Sequence, residues 1–199
     1  MEKRNAIPRE EKFRTRAADG NLYIEGYFAV YNSHYDLWDG AYETIAPGAF
    51  DGETGKDVRA LTNHKSDLVL GRTTAGTLTL RTDKTGLWGS IKINQKDQDA
   101  MNLYARVKRG DVSQCSFGFD ILDQDIQNQN GITVWIIRKV KLYEVSVVTF
   151  PAYKETSVDV RREELNNLMR KSNSKLMQKL RKKIKENHEV LRKQQVRKY

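Results

Sequence analysis

The chain has 199 residues, 38% of them hydrophobic, which is enough for one ordinary domain with a full core plus an extension. Its formal charge of +9 is unevenly placed: residues 161–199 carry 14 Lys+Arg against 4 Asp+Glu, a net of +10, leaving 21 against 22, a net of −1, for residues 1–160. A near-neutral folded part argues against a nucleic-acid-binding fold, which carries its basic patch on the domain itself, and the lack of any apolar run of signal or membrane-spanning length leads us to expect a soluble, intracellular protein with no membrane partner.

Residues 1–20 read as a flexible segment without strand or helix periodicity. Strands follow at Tyr23–Tyr31, Val58–Thr62, Thr77–Thr82 and Leu87–Ile93, separated by Gly, Asn and Asp turn signals, with a short helical turn at Pro47–Phe50. A helix is expected from Asp97 to Arg109, where Ala100, Leu103, Tyr104 and Val107 share one face and Gly110 supplies the stop. Further strands run at Val112–Leu122, Ile132–Val140 and Leu142–Thr149, so the fold class is mainly β with an internal helix, an α+β domain over 21–158. No Gly or Pro occurs from Ala152 onward, and Thr156 with Asp159 forms a capping box. Leu165, Leu168, Met169, Leu176, Leu180, Ile184 and Leu191 then recur at helical steps, predicting a long, basic amphipathic helix over 159–199.

Three short segments hold the chemistry. In SQCSFGFD the odd positions Cys115, Phe117, Phe119 and Ile121 are apolar, while Ser116, Gly118 and Asp120 fall on the opposite face, so the Ser116 hydroxyl points away from the core. Gly118 shares that face and leaves room for a substrate backbone. Cys115, the single cysteine, faces the core and reads as a buried thiol. His64, in NHK, is a candidate proton carrier near neutral pH. Glu144 sits inside the apolar run LYEVSVVTF, where a carboxylate needs a partner, and an imidazole would serve. Base, hydroxyl and carboxylate are the residue types of an acyl-transfer triad. No His/Cys/Asp/Glu group has ligand spacing, so neither metal nor cofactor is expected.

The segments GYFAVYNS, YETIAPGAF, VRALTNH, LGRTTAGTLTL, GLWGSIKI, VKRGDVSQCSFGF and LYEVSVVTFPAY resemble, in order and spacing, the tailed-phage prohead maturation protease family, over residues 26–158. That family is similar in fold to the herpesvirus assemblins, serine proteases that cut scaffolding protein inside immature capsids. The resemblance implies an assemblin-like β-barrel and a serine endopeptidase with Ser116 as nucleophile, His64 as base and Glu144 as third member, where assemblins place a second histidine. The acidic residue that often follows the family's histidine is here Lys65, which leaves Asp67 as a rival to Glu144. Backbone N–H groups are the default oxyanion donors, with Arg138 an electrostatic candidate. The implied partners are the major capsid protein with its scaffold-like segment and the protease itself, through self-cleavage and self-association; the implied location is the phage procapsid in the host cytoplasm. The basic tail would bind an acidic scaffold segment or be cut in self-release. The rival reading is a non-catalytic capsid-assembly module with a basic helical tail.

Overall fold

The alternating segments between residues 13 and 150 fold into ten strands and one α-helix in a computed structural model, which describes residues 13–129 and 131–150 and scattered positions of the tail between 166 and 178. In chain order these are β1 (Arg14–Ala18), β2 (Asn21–Val30), β3 (Tyr35–Trp38), β4 (Ala41–Ile45), β5 (Arg59–Thr62), β6 (Lys65–Arg72), β7 (Leu78–Thr82), β8 (Gly86–Ile93), α1 (Gln98–Arg109), β9 (Gln114–Gln129) and β10 (Ile132–Val148). One sheet has the order β1-β2-β8-β7, and the other β3-β4-β10-β5-β6, with β9 on the remaining side of β10. Phe28, Leu87 and Ile91 from the first sheet and Val140, Val145 and Val147 from the second belong to one buried cluster.

The expected α+β class holds, but the expected barrel does not close. Closure requires edge strands to pair with one another around the cylinder, and among the described residues β1 and β7 end one sheet while β9 forms a strand ladder with β10 alone in the other. The reading of residues 1–20 as flexible gives way at Arg14–Ala18, where β1 pairs with β2 along its whole length. Its residues RTRAA have no apolar alternation to read. Residues β3, β4 and β6 also add strands to those expected. In β6 the first three residues, Lys65, Ser66 and Asp67, are polar and exposed, which hides the strand from a pattern search.

The helix α1 has the expected geometry. Asp97 caps it by accepting from the N–H groups of Asp99 and Ala100, Gly110 ends it at φ 89°, and Ala100, Leu103, Tyr104 and Val107 are buried. It packs against β1, β2 and β8. In the tail, the described positions between Asn166 and Gln178 are helical and exposed; the apolar stripe from Leu165 to Leu191 lies outside the described residues.

β10 organises the second sheet. The two strands expected at Ile132–Val140 and Leu142–Thr149 are one strand of 17 residues, irregular in its pairing with β9 between Ile137 and Val140 and between Leu142 and Glu144. One side pairs with β9 throughout; the other pairs in parallel with β4 through Thr133–Ile137 and with β5 through Glu144–Val147. At the second irregularity the buried Glu53 carboxylate accepts from the Leu142 N–H at 2.9 Å and from Lys56 Nζ at 2.6 Å. Burial alone would push the Glu53 carboxyl up, but these two donors together with the positive charges of Lys56 and Lys139 outweigh it and hold it below its ordinary value. No helix of the described residues is long and apolar enough to cross a membrane.

Candidate active site

Three adjacent strands bring the three sequence candidates to one region. In the β9–β10 register Ser116 lies opposite Ser146 and Gly118 opposite Glu144. Directly opposed residues share a face, with Cβ atoms about 4.5–5.5 Å apart, so Ser116, Gly118, Glu144 and Ser146 form one patch. Glu144 and Ser146 are also in register with Arg59 and Leu61 of β5 on the other side.

His64 reaches this patch from the turn between β5 and β6. Thr62 pairs with Lys65, which makes Asn63 and His64 the two central residues of a tight hairpin. Both have positive φ, 50° and 59°, as a type I′ turn requires. Asparagine tolerates this conformation; histidine is strained there, at about 1–2 kcal/mol. Bonds to β10 and to the residue just beyond it hold the turn: Asn63 N–H donates to Val147 O at 3.0 Å, Thr149 N–H donates to Asn63 Oδ1 at 2.9 Å, and His64 N–H donates to Ser146 Oγ at 3.2 Å.

The imidazole meets the carboxylate directly. His64 Nδ1 lies 2.6 Å from Glu144 Oε1, and the other oxygen, Oε2, accepts from Ser146 Oγ at 2.6 Å. An ionised carboxylate only accepts, so Nδ1 carries the proton and Nε2 is left as the basic nitrogen. Nε2 is buried and has no hydrogen-bond partner among the described residues. The Glu144 side chain retains 14% exposure and the His64 side chain 21%, so the pair is partly screened from water.

Gly118 has a different use from the one its position suggests. A Cβ there would lie 2.5 Å from Glu144 Oε1 and 3.0 Å from Glu144 Cγ. The space over Gly118 is taken by the protein's own carboxylate, not left for substrate backbone.

The remaining sequence candidates fall away from the pair. Asp67 is exposed on β6, and Glu144 is the carboxylate that His64 meets. Cys115 Sγ faces the core side, 3.0 Å from the carbonyl oxygen of Tyr27, and burial pushes its thiol up to about 12, so it stays protonated. Arg138 is ion-paired with Asp125 and stands on β10 six positions before Glu144. Ser146, a second hydroxyl beside His64, is fully buried and cannot meet a substrate, whereas Ser116 is partly exposed. The sequence reading overlooked Ser146 and the turn geometry at Asn63. Both had signals: Ser146 is two residues from Glu144 on a strand, hence on the same face, and asparagine is the favoured first residue of such a turn. Among the described residues no group of three or more His, Cys, Asp or Glu side chains is placed to hold a metal ion.

A family model described as caudovirus prohead serine protease matches residues 10–171, a span that includes His64, Ser116 and Glu144. No curated protein and no solved structure matches the chain.

Proposed function

The chain belongs to the caudovirus prohead serine protease family, and from that premise we propose that Ser116, His64 and Glu144 are its catalytic triad. As a member, it is a serine peptidase of phage head maturation, with a capsid-related substrate and a place within the procapsid of the host cell. The observation that carries the triad is the His64–Glu144 contact: the carboxylate that meets Nδ1 lies opposite Gly118, two residues from Ser116 on β9, and Nε2 is left buried with no hydrogen-bond partner among the described residues, Ser116 included.

In this reading His64 Nε2 takes the Ser116 proton as Oγ attacks the scissile carbonyl carbon. The imidazolium, stabilised by Glu144 at Nδ1, then passes that proton to the leaving amine, and water repeats the sequence to release the acyl group from Ser116. Glu144 remains ionised throughout and keeps the tautomer that leaves Nε2 basic. The oxyanion is assigned to backbone N–H groups, since Arg138 is committed to Asp125.

The substrates in this reading are the scaffold-like segment of the major capsid protein and the protease's own chain. The net of +10 over residues 161–199 supports it, because an acidic segment would be drawn to the tail by charge, more weakly as salt is added. Purified protein incubated with its co-encoded capsid protein should produce new termini that mass spectrometry maps to a few junctions. Ser116→Ala should produce none while remaining folded. Undiminished cleavage by that variant would remove Ser116 from the nucleophile role.

A further inference from the structure

Ser146 occupies a position that neither the family match nor the triad assigns. Its side chain is fully buried at the centre of the second sheet, between Ser116 on β9 and Leu61 on β5. The hydroxyl has a single proton, and that proton is directed to Glu144 Oε2 at 2.6 Å; its oxygen accepts from His64 N–H at 3.2 Å. One atom therefore touches both His64 and Glu144, the carboxylate through its second oxygen and the histidine through its backbone. The two bonds are mutually consistent, because the amide fills an acceptor direction and leaves the proton to point at the carboxylate.

We propose that Ser146 is a positioning residue for catalysis, fixing the distance and angle between Glu144 and His64. The proposal rests on the triad reading. Without this hydroxyl, Glu144 Oε2 loses its donor, so the carboxylate is free to rotate away from Nδ1. The His64 N–H in turn loses its acceptor, and the left-handed turn loses one of the three bonds that tie it to Ser146, Val147 and Thr149. Both changes alter the geometry of proton transfer without touching the surface that a peptide meets, since Ser146 has no exposure.

The test is a double-mutant cycle with a fluorogenic peptide spanning a mapped cleavage junction. Ser146→Ala should lower kcat by roughly tenfold or more, the scale expected for a hydrogen bond to a charged group, and leave KM unchanged. In a Glu144→Gln background the same substitution should cost less than about threefold, because the interaction it supports is already broken. A second readout is the Nδ1 proton of His64, expected far downfield by NMR in the parent at low pH and shifted upfield or broadened by exchange in Ser146→Ala. Ser146→Cys, nearly the same size but a weak donor, should fall between Ser and Ala in rate and covers the case in which the alanine variant does not fold. Equal losses in both backgrounds, or an unchanged kcat and an unchanged Nδ1 signal, would overturn the positioning role. If Glu144→Gln alone leaves the rate intact, the triad reading itself fails, a result that the cycle separates from failure of Ser146.

Discussion

In the proposed triad, Gly118→Ala should slow the enzyme while leaving its backbone fold in place. The added Cβ would stand 2.5 Å from Glu144 Oε1, and ordinary contact begins at 3.4 Å, so the carboxylate must retreat by about 0.9 Å. Taken along the bond to His64, that retreat opens the 2.6 Å contact to about 3.5 Å, which is no longer a hydrogen bond. Losing a hydrogen bond to a charged group costs about 1.5–3 kcal/mol, which corresponds to roughly 10- to 200-fold in rate. The lost bond is also a folded-state interaction and lowers stability by up to the same amount, but the backbone stays in place, because the obstructed atoms, Oε1, Cγ and Cδ, all belong to the Glu144 side chain. Restricting the unfolded chain returns about 0.4–1 kcal/mol where the backbone accepts alanine, as the ordinary φ of Gly118 does. Gly89→Ala is the contrasting control: its Cβ would meet Phe28 Cε2 at 2.6 Å and Leu80 Cδ2 at 2.9 Å in the core, so it should lower the melting temperature. The measurements are kcat/KM on a junction peptide and thermal unfolding, side by side. Full kcat/KM in a folded Gly118→Ala protein would refute the argument that this glycine seats the carboxylate proposed as the third triad member.

Glu144→Gln should reduce kcat/KM by roughly 10²-fold or more, since the amide no longer enforces the tautomer, while Asp67→Asn on the exposed part of β6 should stay within about twofold of the parent; the reverse ranking in steady-state assays would transfer the third role to Asp67. Cys115→Ala should retain peptidase activity, and the native thiol should resist iodoacetamide at neutral pH, because burial pushes it up to about 12 and keeps it protonated; rapid, inactivating alkylation would contradict that placement. The depressed Glu53 carboxyl contributes stability that is present above its unfolded value of about 4.5 and lost as pH falls through the lower folded value. Glu53→Gln should therefore destabilise the protein by about 1–3 kcal/mol at neutral pH, through the Lys56 and Leu142 partners, and flatten the fall in melting temperature on acidification; parallel melting curves against pH for the two proteins would count against it.

How far the sequence could be read differed between its strands and its turns. Alternation placed Ser116 on the face opposite Cys115, and that separation holds because strand geometry depends only on neighbouring residues. The acid in LYEVSVVTF demanded a partner, and His64 is that partner, a long-range pairing across 80 residues that buried-charge chemistry made legible. Polar strands such as β1 and the start of β6 were not legible, since their order comes from pairing with neighbours that no local pattern reveals. The closed barrel expected from the family resemblance failed for the same reason: whether edge strands meet is decided by twist and register summed over a whole sheet. The use of Gly118 was misread because the glycine signals a close approach without naming what approaches.

The segment from Glu144 to Thr149 accounts for why a histidine can sit where glycine would be easier. A left-handed His64 costs about 1–2 kcal/mol, and the turn offsets this through three hydrogen bonds to Val147, Thr149 and Ser146, each contributing about 0.5–1.5 kcal/mol. The same strand supplies the carboxylate that receives Nδ1. The anchorage of the turn and the Nδ1 contact of His64 thus come from one run of residues, so a glycine at position 64 would relax the turn and remove the imidazole proposed as the base together. Strain retained at such a point fits the role of base proposed for the His64 side chain.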